Sequence, residues 1–232
     1  MAKAVSSYSI WEMTSCGSVA AILLASGYSK RFGGRNKLLI PFGGKPLARH
    51  TLELAASIGF VGGIFLITAS DEVAALASGL CAVEVIRNRA PEKDLRESVR
   101  LGVLAGAAAE YWLFFHCDQP FLDAGTVSRI LACREPGRIV EPRFSGQCRS
   151  SASGRPGNPC LFSAAFRGEL LSLGERETPR LIKARHPELV RAVEVPNPLI
   201  LEDIDDEETF ARLAARLPGE NLTEQKSGIS IN

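Results

Sequence analysis

The run Val19-Ala20-Ala21-Ile22-Leu23-Leu24-Ala25-Ser26-Gly27-Tyr28-Ser29-Lys30-Arg31-Phe32-Gly33-Gly34-Arg35-Asn36-Lys37 decides the fold. Val19 to Leu24 are apolar without alternation, the signature of a strand in a parallel sheet covered on both faces. A glycine-rich, cationic loop follows, at the carboxyl end of the strand, where open α/β sheets form ligand crevices. From Met13 through Leu52 there is no acidic residue, whereas Lys30, Arg31, Arg35, Lys37, Lys45 and Arg49 are basic. The chain as a whole has 27 basic and 26 acidic residues, so this asymmetry is local and points to a strongly anionic ligand. Gly27, Gly33 and Gly34 let backbone N–H groups approach phosphate oxygens, and Arg31 and Lys37 can neutralise charge growing on a leaving pyrophosphate. Composition alone also allows a glycine-rich surface turn with solvated cations. The loop fits neither G-x-G-x-x-G nor G-x-x-x-x-G-K-[ST], since Gly34 is followed by Arg35-Asn36-Lys37-Leu38.

Outward from this loop, apolar runs of strand length recur at Ile64 to Ala69, Val83 to Ile86 and Trp112 to Phe115. Between them lie helical patterns, such as Leu47, Thr51, Leu54 and Ile58 on one face, with Pro46 at the first helical position. The alternation predicts right-handed crossovers and an α/β fold with a doubly wound, mostly parallel sheet and a Rossmann-like nucleotide-binding half. The Ser-, Gly- and Arg-rich segment Arg143 to Pro159 reads as a long loop, and a final helix is expected over Glu207 to Leu217. Polar ends mark residues 1–18 and 218–232 as flexible extensions of a single 19–217 domain.

With 46% hydrophobic and 23% charged residues, a chain of 232 residues can bury a single large core. A net charge of +1 argues against nucleic acid or an anionic membrane as partner. Cys16, Cys81, Cys117, Cys133, Cys148 and Cys160 are scattered, with no C-x-x-C pair, which favours a reduced, cytoplasmic protein over a disulfide scaffold or structural metal site. The longest apolar runs fall short of a membrane span, and Met1 to Ser18 lacks the pattern of a signal peptide.

Acidic candidates follow. Asp118, in His116-Cys117-Asp118-Gln119-Pro120, stands after a strand and is placed to bind Mg²⁺, though an Asp before a turn also serves as a cap. His116 reads as a space-filling neighbour. Glu202-Asp203-Ile204-Asp205-Asp206-Glu207-Glu208 puts six carboxylates in seven residues. Asp205 with Glu208 reads as a capping box at a helix start, where acids are favoured by the helix dipole. Ser98 reads as a residue near a helix cap.

Leu24-Ala25-Ser26-Gly27-Tyr28-Ser29-Lys30-Arg31-Phe32-Gly33, with Asn36-Lys37-Leu38-Leu39, Pro41 and Gly44-Lys45-Pro46-Leu47, resembles the signature of the molybdopterin nucleotidyltransferases. Ser29 and the Asn-Lys-Leu-Leu form resemble the branch that makes the cytosine dinucleotide cofactor; Ser26 stands where Ala is usual. The resemblance implies a nucleotide-diphospho-sugar-transferase-like fold, CTP and molybdopterin as substrates, Mg²⁺ as cofactor and a molybdenum hydroxylase as recipient. It assigns Leu24, Ala25, Ser26, Gly27, Ser29, Arg31, Gly33, Lys37 and Ser98 to the nucleotide, and Asp118 and Asp205 to the metal, with Asp203 a further candidate. Arg31, Lys37 and Asp118 are then the catalytic groups. Arg155-Pro156-Gly157-Asn158-Pro159-Cys160-Leu161-Phe162 resembles the family's acceptor segment, implying Gly157, Asn158 and Pro159 beside the pterin, with Asn158 in place of the usual His. Cys117 replaces a usual Gly and is expected to crowd the metal site. Alternatives are guanylyl or sugar-phosphate transfer, or a non-catalytic carrier of the cofactor. A dinucleotide oxidoreductase is disfavoured by the missing G-x-G-x-x-G.

Overall fold

Strand β1 (Val19–Leu24) is buried along its whole length. Val19, Ala21 and Leu23 face one hydrophobic cluster while Ala20, Ile22 and Leu24 face another, so apolar residues are required at every position. The computed structural model describes residues 17–27, 32–144, 154–196 and 198–217. The extensions expected over 1–18 and 218–232 lie almost wholly outside these residues.

β1 pairs in parallel with β4 (Ile64–Thr68) on one side and β6 (Tyr111–His116) on the other, and β4 pairs in parallel with β5 (Val83–Arg87). These are the four apolar runs read from the sequence, with ends differing by at most one residue. Farther along, β9 (Cys160–Ser163) inserts antiparallel between β6 and β7 (Ile139–Phe144), and β10 (Val190–Glu194) closes the edge parallel to β7. The sheet order is β10-β7-β9-β6-β1-β4-β5, with β8 (Arg155–Pro156) added to β7. β7 and β8 thus take up both ends of the stretch read as a loop from Arg143 to Pro159; residues 145–153 lie outside the described residues. A short hairpin, β2 (Pro41–Phe42) and β3 (Lys45–Pro46), stands apart from the main sheet.

Helices cover both faces. α1 (Leu47–Ile58) and α4 (Ala124–Ala132) place Ala48, Leu52, Ala55, Val127 and Ile130 against one face of the sheet. α3 (Asp94–Ala105), α5 (Arg167–Leu171) and α6 (Pro179–Arg185) place Val99, Val103, Leu170 and Ile182 against the other. The sheet is therefore doubly wound and mostly parallel, as expected. α2 (Asp71–Ala75) links β4 to β5 and is capped by Ser70, which accepts from Val73 N. Pro46 stands one residue ahead of α1, at its N-cap rather than its first turn. α3 lies hard on β1: a Cβ at Gly102 would come within 2.3 Å of Ile22 Cγ2. That close approach sets the start of α3 above the loop that follows β1.

A third cluster lies outside the two sheet faces. Phe42 of the hairpin meets Phe121 and Phe210 edge to face, and Ile204 and Leu213 are fully buried beside it. Through this contact α7 (Glu207–Ala214) is clasped to the hairpin. The helix ends three residues before the expected Leu217, in a last turn that continues as a tight turn.

Candidate active site

The loop after β1 is zipped to β4 by backbone and side chain: Ala25 N donates to Ile67 O at 2.9 Å, Ser26 Oγ to Ile67 O at 3.2 Å and Thr68 Oγ1 to Ala25 O at 3.1 Å. Fixed in this way, Leu24, Ala25, Ser26 and Gly27 form one wall of a cleft of about 460 Å³. The opposite wall is Pro91, Asp94, Leu95 and Ser98 at the start of α3, and the floor carries His116, Asp118, Lys37 and Asp205. Ala25, Ser26, Gly27 and Pro91 also border a smaller hollow of about 230 Å³ with Gly34, Asn36, Ala69 and Ser70.

One cation ties the floor together. Lys37 Nζ donates to Asp118 Oδ2 at 2.7 Å and to Asp205 Oδ1 at 2.8 Å. Burial alone lowers the Lys37 pKa, but the two carboxylates outweigh it and leave the pKa raised, so the ammonium stays charged. Lys37 reaches this position because Asn36 caps a short 3₁₀ turn, accepting from Leu38 N at 3.1 Å. Asp118 is placed by the end of β6 and by Ile204 N, which donates to Asp118 O at 3.1 Å and so pins the chain between Asp203 and Asp205 to it. The other carboxylate oxygen, Asp118 Oδ1, is buried with no hydrogen-bond partner among the described residues. Behind it Gln119 Nε2 donates to Asp203 Oδ1 at 2.5 Å. Burial, and then the Asp118 charge, hold the Asp203 pKa above the ordinary carboxylate value. Among the described residues no three His, Cys, Asp or Glu side chains are grouped so as to hold a metal by themselves.

Leu24, Leu95 and His116 are shared with a second chamber of about 430 Å³, so the two cavities meet at the end of β1 and β6. The second chamber is lined by Arg155, Gly157, Asn158, Cys160, Lys183 and Asp203, among others. Asp203 therefore faces the second chamber while Asp118 and Asp205 face the first.

Several expectations change here. Of the six cations counted in the acid-free stretch, Arg35 pairs with Glu207 at 3.0 Å, and Lys45 and Arg49 both pair with Glu53, at 2.5 and 2.8 Å. Lys37 is the one of them that the described residues place in the cleft. Ser29, Lys30 and Arg31 lie outside the described residues. Gly33 has φ +57 and turns the loop, but does not line the cleft. Pro159 is buried behind the second chamber, which Gly157 and Asn158 line. The helix cap falls on Asp206, whose side chain accepts from Thr209 N, and Asp205 is thereby left for Lys37. Ser98 sits a full turn into α3, not at its cap; it is buried and its Oγ accepts from Asn88 Nδ2 at 3.1 Å. Cys117 does not crowd the cleft: its thiol is buried in the first core cluster, and burial pushes its pKa far up. His116, read as filler, borders both chambers. No local motif marks Gln119, Asp94, Glu141 or Lys183, whose places follow only from packing.

Comparison with known proteins agrees with this geometry. Residues 21–190 match the model of the MobA-like NTP transferase domain. A molybdenum cofactor guanylyltransferase from Ralstonia nicotianae is 32% identical over 180 residues, 73% of this chain and 83% of that protein. Nicotine blue oxidoreductase from Paenarthrobacter nicotinovorans is 28% identical over 200 residues, 84% of this chain and 96% of that protein. A nucleotidyl transferase from Methanothermobacter thermautotroptrophicus superposes with a TM-score of 0.73 at 25% identity, covering 86% of this chain and 97% of its own. With the β1 loop, Lys37 and Asp118 at a cleft beyond the carboxyl edge of a mostly parallel sheet, the chain belongs to the MobA-like NTP transferase family of nucleotidyltransferases.

Proposed function

We propose that the protein transfers CMP from CTP to the terminal phosphate of a molybdenum-bearing pterin, releasing pyrophosphate. The observation that carries this is the Lys37 ammonium, held by Asp118 and Asp205 in the cleft beside the junction of two chambers. The first cleft receives the triphosphate and the second the acceptor. An acceptor phosphate oxygen attacks the α-phosphorus as the bond to the β-phosphate oxygen breaks, and pyrophosphate carries away the negative charge. That oxygen is already anionic at neutral pH, so no general base is required. Lys37 neutralises charge on the pentavalent phosphorus and the leaving group, and Arg31 is the second cation in this reading.

Mg²⁺ fits the residues present. It keeps several waters and is ordinarily held by one or two carboxylates plus substrate phosphates, so Asp118, with its unpartnered Oδ1, and the half-exposed Asp205 suffice. When bound, the ion would offset the negative charge of the triphosphate. Cytosine over guanine is supported by the resemblance of Ser29 and Asn36-Lys37-Leu38-Leu39 to the cytidylyl branch. The free thiols at Cys81, Cys117, Cys133 and Cys160 support a reduced, cytoplasmic setting, and delivery to a molybdenum hydroxylase belongs to the same reading.

A second reading has a specific observation behind it: the oxidoreductase relative spans nearly its full length on this same domain. In that reading the paired cavities hold a reduced dinucleotide and a ring that accepts its hydride. Pyrophosphate release, measured with Mg²⁺, the pterin cofactor and each nucleoside triphosphate in turn, separates the possibilities. Release with CTP alone supports the proposal, and release with GTP alone moves it to guanylyl transfer. No release with any triphosphate, together with oxidation of a nicotinamide dinucleotide, replaces it.

A further inference from the structure

Glu141 lies on β7 with its side chain only 3% exposed, yet it is matched by more than one cation. Arg143 approaches Glu141 Oε1 at 2.8 Å, and Lys183, arriving from α6, donates to Glu141 Oε2 at 2.5 Å. Lys183 thus shares its buried carboxylate with Arg143. The Lys183 ammonium also contacts Cys160 Sγ at 3.4 Å, which accounts for a second of its three protons. Lys183 lines the second chamber, where Arg180 stands without an ion-pair or hydrogen-bond partner among the described residues. The acidic side chain on that lining is Asp203, at the end next to the first cleft. The third Lys183 proton and the Arg180 guanidinium are therefore donors at the chamber wall suited to an anion.

We propose that Lys183, held in place by Glu141, binds an anionic group of the acceptor in the second chamber, so that this chamber selects acceptors carrying a phosphate. Glu141 is a positioning residue and Lys183 the contacting one. Burial alone lowers the Lys183 pKa, but the neighbouring Cys160 and Glu141 outweigh it, so the ammonium is charged when the acceptor arrives. The assignment of the second chamber to the acceptor rests on the transfer reading above; the anion site does not.

The test is Lys183→Met, which leaves Glu141 paired with Arg143 and so keeps the buried carboxylate compensated. The expected result is an acceptor KM raised about tenfold or more, from the loss of a charge-assisted hydrogen bond, with the KM for the nucleotide unchanged. Lys183→Arg recovers part of the loss. An unchanged acceptor KM, or an equal loss for nucleotide and acceptor, overturns the proposal. Should Lys183→Met fail to fold, Lys183→Gln keeps a donor for Glu141 and is read in the same way. Inorganic phosphate serves as a probe that needs no transfer reaction: it raises the melting temperature of the wild type more than that of the variant. If that difference holds but no pterin phosphate supports pyrophosphate release, the transfer reading fails and the anion site stands. If phosphate protects both proteins equally, the anion site falls whatever the acceptor is.

Discussion

Lys37 Nζ and Asp118 Oδ2 lie 2.7 Å apart, and their side chains are only 12% and 15% exposed. A contact so sheltered does more than a surface pair, since little water is left to replace it. The Lys37 ammonium holds together two carboxylates that would otherwise repel, and it stands where triphosphate charge must be met. Lys37→Met is expected to reduce turnover by about a hundredfold or more and to destabilise the fold by about 1–3 kcal/mol, because Asp118 loses its partner. Asp118→Ala is expected to abolish turnover while the fold remains intact, with Mg²⁺ no longer altering nucleotide binding. Steady-state pyrophosphate release and denaturant midpoints check both; full activity of Asp118→Ala would remove the metal assignment.

Ser98 carries a hydroxyl whose orientation is set by its neighbour. Ala90 N donates to Asn88 Oδ1 at 2.9 Å, which fixes the Asn88 amide, so its Nδ2 donates to Ser98 Oγ at 3.1 Å. The Ser98 oxygen accepts, and its proton is left for an acceptor on the ligand in the cleft that it lines. Ser98→Ala is therefore expected to weaken nucleotide binding by about tenfold, the worth of one hydrogen bond of about 1 kcal/mol or slightly more. Titration calorimetry with CTP measures this. Equal affinity in the variant would mean that the hydroxyl does not meet the nucleotide.

How much of this was legible follows from which forces act locally. β1, β4, β5 and β6 were readable because strands buried on both faces need continuous apolar residues, whatever packs on them. β9 was not: Cys160–Ser163 is four residues long, and its pairing depends on partners more than fifteen residues away. Position after a strand pointed to Asp118 and the loop chemistry to Lys37, and both line the cleft. Charge counting overreached at Lys45 and Arg49, although Arg49 and Glu53 stand at the i,i+4 spacing that joins them on α1. Asp205 and Asp206 are chemically the same residue in adjacent places, so capping could be read one position early; only the docking of Ile204 decides which Asp turns to the cleft. Glu141 and Lys183 are far apart in the chain and meet only through packing of α6 on the sheet.

Glu202 gives the site an acid-sensitive tie. It accepts from Arg212 of α7 at 2.9 Å and also pairs with Arg155, which lines the second chamber. The Arg212 hydrogen bond chiefly, and Arg155 with it, hold its pKa below the ordinary 4.5, against the opposing effect of burial. A depressed carboxyl pKa contributes stability that is present above the unfolded value and lost as pH falls through the folded one. Wild type is thus expected to be more stable than Glu202→Gln near neutral pH, and the gap should close as the pH falls below the ordinary 4.5 and through the lowered folded value. Urea midpoints across that range provide the check; a gap that is the same at every pH would mean Glu202 acts by packing and not by charge.

The clasp between α7 and the hairpin links the stability of a peripheral cluster to the chemistry of the cleft. Leu213 is fully buried among Phe42, Ile204 and their neighbours, in a cluster separate from both faces of the sheet. Ile204 belongs to that cluster by its side chain, and its backbone N–H binds Asp118 O, with Asp203 and Asp205 on either side. Loosening the cluster therefore moves two carboxylates at once. Leu213→Ala is expected to cost about 2–4 kcal/mol through lost apolar burial and a residual cavity. Because the main core is left untouched, part of that cost should appear as local opening of 199–217 rather than global unfolding. The functional signature is a higher Mg²⁺ requirement, as Asp205 leaves Lys37, while the Lys183–Glu141 pair, on other elements, stays in place. Hydrogen exchange along 199–217 and the Mg²⁺ dependence of turnover should move together across substitutions at Leu213 and Phe42. A variant whose exchange rises without any change in Mg²⁺ dependence would show that Asp205 is held by Lys37 alone and not by the clasp.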